Sequence, residues 1–122
     1  MSEPASTVWP TEIKLAAGKR ALTIAFDDGS SFEIPAELLR VMSPSAEVQG
    51  HSPEQRVTVG NKRTVSIRDV RAIGNYAVQI VFDDGHDTGF YRWAYLHDLG
   101  RRESEHWQRY LDDLAAKGLG RG

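Results

Sequence analysis

One strand-and-turn unit occurs twice in this chain. Ala21-x-x-Ile24-x-Phe26-Asp27-Asp28-Gly29 returns as Ala77-x-x-Ile80-x-Phe82-Asp83-Asp84-Gly85. In both copies apolar residues alternate, the period of a strand with one buried face. Each strand runs into Asp-Asp-Gly. An Asp-Gly pair favours a type I′ hairpin turn, because glycine takes a positive φ without penalty and aspartate tolerates one. Two readings account for the repeat: similar hairpins converging on similar sequences, or a duplicated strand–turn–helix unit. Under either, the first copy is an internal control for the second. The first continues Ser30-Ser31-Phe32-Glu33, as an ordinary hairpin would. The second continues His86-Asp87-Thr88-Gly89-Phe90-Tyr91-Arg92-Trp93. Its imidazole and additional carboxylate exceed what turn geometry requires.

Around the repeat, residues 1–8 are small and polar and read as a flexible tail. Ile13 and Leu15 mark a strand, and Ala17 to Arg20 a hairpin turn. Phe32 and Ile34 mark the returning strand, and Pro35 opens a short helix from Ala36 to Met42. The 43–61 stretch, with Pro44, Gly50, Pro53 and Gly60, is poor in regular signal, with one brief strand at Val57 and Val59. Val65 and Ile67 resume alternation, and Val70 and Ile73 carry it on to a turn at Gly74-Asn75. Tyr76, Val78, Ile80 and Phe82 share one face of the best strand. From Gly89 the spacing of Phe90, Trp93, Ala94 and Leu96 predicts a helix, with Gly100 as a stop. A last helix spans Glu103 to Lys117, with Trp107, Tyr110, Leu111 and Leu114 as its apolar stripe and Gly118 and Gly120 at its end. The expected fold is α+β: a compact two-layer unit of antiparallel hairpins packed with short helices, plus a C-terminal amphipathic helix.

At 122 residues the chain is expected to form one domain. A net charge of −2 argues against a nucleic-acid binder. The absence of cysteine excludes disulfides, thiolate metal sites and a cysteine nucleophile from this chain. No apolar run reaches membrane-spanning length, and the first ten residues lack a signal-peptide pattern, so a cytoplasmic location is expected. No Gly-x-Ser-x-Gly or Walker-type loop points to a serine hydrolase or a nucleotide site. Arg56, Lys62, Arg63, Arg68 and Arg71 make residues 51–73 locally basic, either a weak anionic-partner surface or a solvated strand face.

The polar turn carries the candidate site. Asp83, Asp84, His86 and Asp87 place three carboxylates and an imidazole within a short run. Asp84, His86, Asp87, Tyr91 and Trp93 are candidates for a ligand or partner surface. His86 with Asp83 and Asp87 is a candidate metal set, with His51, His97 and His106 as possible sources of a second imidazole. The plainer reading is a hairpin turn followed by a helix cap, with Asp87 or Thr88 accepting amides near Phe90. Trp93 is expected in the core, with Tyr91 and Tyr95 at its edge, and His97 and His106 solvated or at an edge.

The run from Val81 to Leu96, with its Asp-Gly-His-Asp-x-Gly followed by Tyr-x-Trp, resembles the gamma-butyrobetaine hydroxylase-like N-terminal domain family. Gly74-Asn75-Tyr76-Ala77, Leu39-Arg40-Val41-x-Ser43-Pro44-Ser45-Ala46-Glu47-Val48 and Trp9-Pro10-Thr11 support the resemblance. It implies a compact two-layer α+β domain over residues 9–100, with residues 101–122 as a C-terminal helix and tail. The likeness is to the bacterial stand-alone branch, whose role is poorly defined. Related domains precede the catalytic domain of carnitine-pathway dioxygenases. Others are joined to P-loop ATPases that carry iron–sulfur clusters. In the hydroxylases the domain holds zinc through three cysteines and a histidine. Their cysteine-rich turn corresponds to Ser43–Val48 here, and their histidine to His86. Serine hydroxyls are poor zinc ligands, so the cysteine-type zinc site is expected to be absent and no cofactor is expected. The resemblance implies a small non-catalytic binding or accessory domain with a protein partner, such as an iron–sulfur cluster carrier ATPase. The alternative is a protein that binds a divalent metal through His86 and neighbouring carboxylates. A free-standing hydroxylase is disfavoured, since the chain is too short for this domain and a dioxygenase barrel together.

Overall fold

A computed structural model describes residues 8–50 and 52–122. The proposed tail lies almost wholly outside the described residues, and so does His51. The order of elements is β1 (Pro10–Leu15), β2 (Ala21–Phe26), β3 (Ser31–Pro35), α1 (Ala36–Val41), α2 (Ala46–Gln49), β4 (Ile67–Ile73), β5 (Ala77–Phe82), β6 (Phe90–Arg92), α3 (Trp93–Arg101) and α4 (Glu103–Lys117). Two antiparallel sheets result, β1-β2-β3 and β4-β5-β6. The α+β expectation therefore stands, with hairpins and short helices around one core and a C-terminal amphipathic helix.

The sequence repeat is a structural repeat. β2 and β5 are the central strands of their sheets and share one burial pattern along their length. In each sheet the register with the first strand shifts at the same place, opposite the last two residues of the central strand. The two turns match bond for bond. Gly29 N–H donates to Phe26 O and Gly85 N–H to Phe82 O, both at 3.1 Å. Ser30 N–H donates to Asp28 Oδ1 at 2.9 Å, and His86 N–H to Asp84 Oδ1 at 3.0 Å. In each turn only the glycine takes a positive φ, +89° at Gly29 and +92° at Gly85. These are three-residue hairpin loops with a glycine bulge rather than the expected type I′ turns.

Each βββ unit leads into a helix, and each helix packs against the other unit. The last-strand residues Ile34 and Tyr91 face Leu22 and Val78 at equivalent registers. Both are fully buried, in one core with Ile24, Leu39, Ile67, Ile80, Phe82, Leu96 and Leu99. α4 closes the core with Tyr110 and Leu114. Gly118, in the left-handed conformation, ends that helix.

Three local expectations change. Phe90–Arg92 is a third strand, not a helix, because its three residues pair with Ala77–Gln79 and alternate exposed, buried, exposed. Three residues are too few to display either period. Val57 and Val59 form no strand; instead Val57 N–H bonds to Val48 O, closing the loop onto α2. Gly100 lies inside α3 rather than ending it. A methyl group there would run into the Phe32 ring.

That close approach gives a test. In an open helix interior Gly→Ala stabilises by about 1 kcal/mol. Here Gly100→Ala is expected to destabilise by about 1–3 kcal/mol through overpacking against Phe32. In a Phe32→Ala background the penalty should disappear, as read from urea midpoints in a double-mutant cycle.

Candidate functional site

The residues that the sequence singles out lie where the second turn meets α1 and α2. The turn bonds place the His86 ring inward, where it is 7% exposed. Its Nδ1 lies 3.1 Å from Glu47 Oε1 and its Nε2 lies 2.8 Å from Ser43 Oγ. A carboxylate only accepts, so Nδ1 carries the proton and Nε2 accepts from the Ser43 hydroxyl. Ser43 Oγ in turn accepts Ser45 N–H at 3.2 Å. Ser45 Oγ accepts Glu47 N–H as the N-cap of α2 and pairs with Thr88 Oγ1 at 2.7 Å. Gln49 Nε2 donates to Ser43 O. These bonds tie the 43–49 turn to the 86–88 turn without a covalent or metal link. Burial, and then the positive charge of Arg40, hold the His86 imidazole below its ordinary pKa of 6.5.

Glu47, His86 and Ser43 stand in the hydrogen-bond order of a hydrolase triad. The arrangement is not set up for that chemistry. Ser43 is fully buried, and a methyl group on Gly89 would strike its hydroxyl.

Asp84 also turns inward. Its Oδ2 lies 2.8 Å from Arg40 Nε on α1 and 2.7 Å from Lys62 Nζ. Partial burial works against its charged form, but the bonds from Lys62, the His86 amide and Arg40 outweigh it and hold the carboxyl at about 2. The first turn repeats the pattern. Asp28 Oδ2 lies 2.9 Å from His97 Nε2 on α3, and the His97 ring meets Phe26 and Phe32 edge-on. His97 is therefore a tie between units rather than a solvated edge group. His106 pairs with Asp98 at 2.9 Å.

The proposed metal set does not converge. Both His86 ring nitrogens are engaged by Ser43 and Glu47, and Asp83 Oδ1 accepts Ser66 N–H at 3.1 Å on the outer side of the turn. Asp87 is exposed, and its contribution is a backbone carbonyl that accepts from Gln79. Among the described residues no group of three or more histidine, aspartate or glutamate side chains is placed to hold a metal ion. The zinc held by the related hydroxylases would not fit this donor set either, since Ser43 and Ser45 bring neutral hydroxyls where thiolates would be needed.

The proposed surface is also redistributed. Tyr91 is fully buried, and its hydroxyl donates to Leu39 O at 2.6 Å. Trp93, expected in the core, is half-buried, with its indole N–H on Asn75 O. The strand alternation sends Tyr91 in and its neighbours out. Phe90 is 48% exposed, and Arg92 lies over the Tyr76 ring, itself 41% exposed. Sequence reasoning missed Phe90 and Arg92 as surface groups because their segment was read with a helical period, and Tyr76 because it was read on the buried face of β5, whereas that strand begins at Ala77 and Tyr76 lies exposed in the turn before it. It also missed Ser43 and Glu47 as partners of His86. The pairing of Ser43–Val48 with His86 through the family resemblance was the signal that could have found them.

The family model described as gamma-butyrobetaine hydroxylase-like, N-terminal, matches residues 13–97. An NMR solution structure 45% identical in sequence covers 99% of this chain and 90% of its own, with a TM-score of 0.83. A second NMR structure is 42% identical over 93% of this chain and 89% of its own, with a TM-score of 0.79. A crystal structure of a protein of unknown function in the DUF971 family, from Acidithiobacillus ferrooxidans, is 34% identical, covering 80% of this chain and 97% of its own, with a TM-score of 0.62. No curated protein matches. Among the described residues no helix is long and apolar enough to cross a membrane.

The Asp84 ties predict a pH dependence. A carboxyl lowered from 3.8 to about 2 contributes its full stability above the ordinary value and loses it as pH falls through the folded one. Asp84→Asn should lower the urea midpoint at neutral pH. Between about pH 4 and pH 2 the variant should lose less stability than the parent, narrowing the gap.

Proposed function

The chain belongs to the gamma-butyrobetaine hydroxylase-like N-terminal family, and we propose that it serves as a small non-catalytic accessory domain that recognises a protein partner. The observation that carries this reading is the outward face of β6. Phe90 stands 48% exposed there, and Tyr76 lies 41% exposed beneath the Arg92 guanidinium. Aromatic residues and arginine concentrate where interfaces gain most of their energy. Trp93 and Asp87 border the patch, while Asp84, His86 and Tyr91 act behind it as the framework that holds β6 in place.

The non-catalytic part of the proposal is supported by the surroundings of Ser43 and His86. Among the described residues Ser43 and His86 form a nucleophile–base pair, but both are buried and engaged in hydrogen bonds with Ser45 and Glu47. The partner class comes from the family resemblance, in which related domains are joined to P-loop ATPases that carry iron–sulfur clusters. The proposed setting is the bacterial cytoplasm.

The test is binding of this protein to a purified iron–sulfur cluster carrier ATPase from the same organism, measured by calorimetry. Phe90→Ser with Tyr76→Ser should weaken binding at least tenfold, with the melting temperature within a few degrees of the parent. Lys14→Gln, on β1 in the other sheet and remote from the patch, should bind as the parent does. Equal affinity for parent and patch variant would remove this surface from the account.

A further inference from the structure

A second concavity, sharing no residue with the β6 face, opens where the end of α1, the end of α2, α3 and α4 meet. Its volume is about 480 Å³, within the range of small-molecule sites. Met42 and Tyr95 form an apolar floor, Gln49, Gly50 and Ser52 a polar lip, and Arg56 and Arg109 a basic wall. Among the described residues no carboxylate lines it.

The two guanidinium groups are short of acceptors. Arg56 Nη1 is bound to Asp113 Oδ2 at 3.0 Å, but its Nη2 meets the thioether sulfur of Met42 at 3.3 Å. A thioether is a weak acceptor for a charged donor. Arg109, exposed on α4, has no hydrogen bond or ion pair among the described residues. The Tyr95 hydroxyl donates to Met42 O, so it adds no donor to the cleft and leaves its ring as an apolar surface.

The lip is held in place. Gly50 has φ +67°, and a side chain there would collide with Gln55. Val57 N–H bonds to Val48 O at 2.7 Å and closes the loop behind it. Arg56 is held against α4 by its ion pair with Asp113.

We propose that this cleft binds a small organic carboxylate, its carboxylate group bridging Arg56 and Arg109 and its apolar body resting on Met42 and Tyr95. A planar carboxylate matches the fork of a guanidinium, and the floor gives an organic anion an advantage over an inorganic one.

The experiment is a ¹H–¹⁵N titration of the full chain with benzoate, glutarate and inorganic phosphate, each at matched ionic strength. The expected result is saturable shifts of the Gly50 amide and the Arg109 Nε–H with at least one of the carboxylates. Arg109→Gln, which removes no internal contact, should weaken that binding at least tenfold. Arg71→Gln, a charge control elsewhere, should leave it unchanged. Three results would overturn the proposal: linear shifts with both carboxylates, undiminished binding to Arg109→Gln, or phosphate saturating as tightly as the organic anions.

Discussion

Two aspartates hold the halves of this molecule together, each doing two jobs with its two oxygens. Asp28 Oδ1 and Asp84 Oδ1 each accept an amide of their own turn, which shapes the hairpin. Asp28 Oδ2 reaches His97 on the helix after the second sheet, and Asp84 Oδ2 reaches Arg40 on the helix after the first. The duplication is thus interlocked: each unit's turn is seated on the other unit's helix. Charge-assisted bonds of this kind are stronger than neutral ones and specific in direction. They fix how the two units are seated on one another, while the shared core forms because neither small sheet could bury its apolar face alone.

The same near-symmetry shows where the halves diverge. Phe32 and Gly89 occupy corresponding places in their units, and so do Gly100 and Ser43. In one half the Phe32 ring fills the space above Gly100. In the other Gly89 leaves room for the Ser43 hydroxyl, and His86 bonds to it. A packed aromatic on one side is replaced by a polar cluster on the other. That cluster joins the two segments that the family resemblance pairs through zinc, using hydrogen bonds where thiolates are lacking.

Much of the fold was legible because its signals are long. The alternation of β2 and β5, the Asp-Asp-Gly turns and the stripe of α4 each extend over enough residues to declare a period. β6 did not, since three residues satisfy strand and helix alike. The consequence reached the candidate site: reading Phe90–Trp93 as helix placed Tyr91 at an edge and Trp93 in the core, the reverse of their positions. Gly100 misled for a related reason. A glycine that stops a helix and a glycine that admits a neighbouring ring look identical in sequence, and only Phe32 distinguishes them. His86 was rightly unusual, but its meaning depended on Ser43 and Glu47, far away along the chain and visible only after folding.

At the junction of the two units lies an imidazole that is neutral, internal and committed to hydrogen bonds with Ser43 and Glu47. The most direct measurement is the NMR titration of the four histidines, following the ring nitrogens of His86 between about pH 4 and pH 8. The account predicts that His86 keeps its proton on Nδ1 and gains a second only below 6.5, while the protein stays folded. A His86 that ionises above 6.5, or that carries its proton on Nε2, would contradict it.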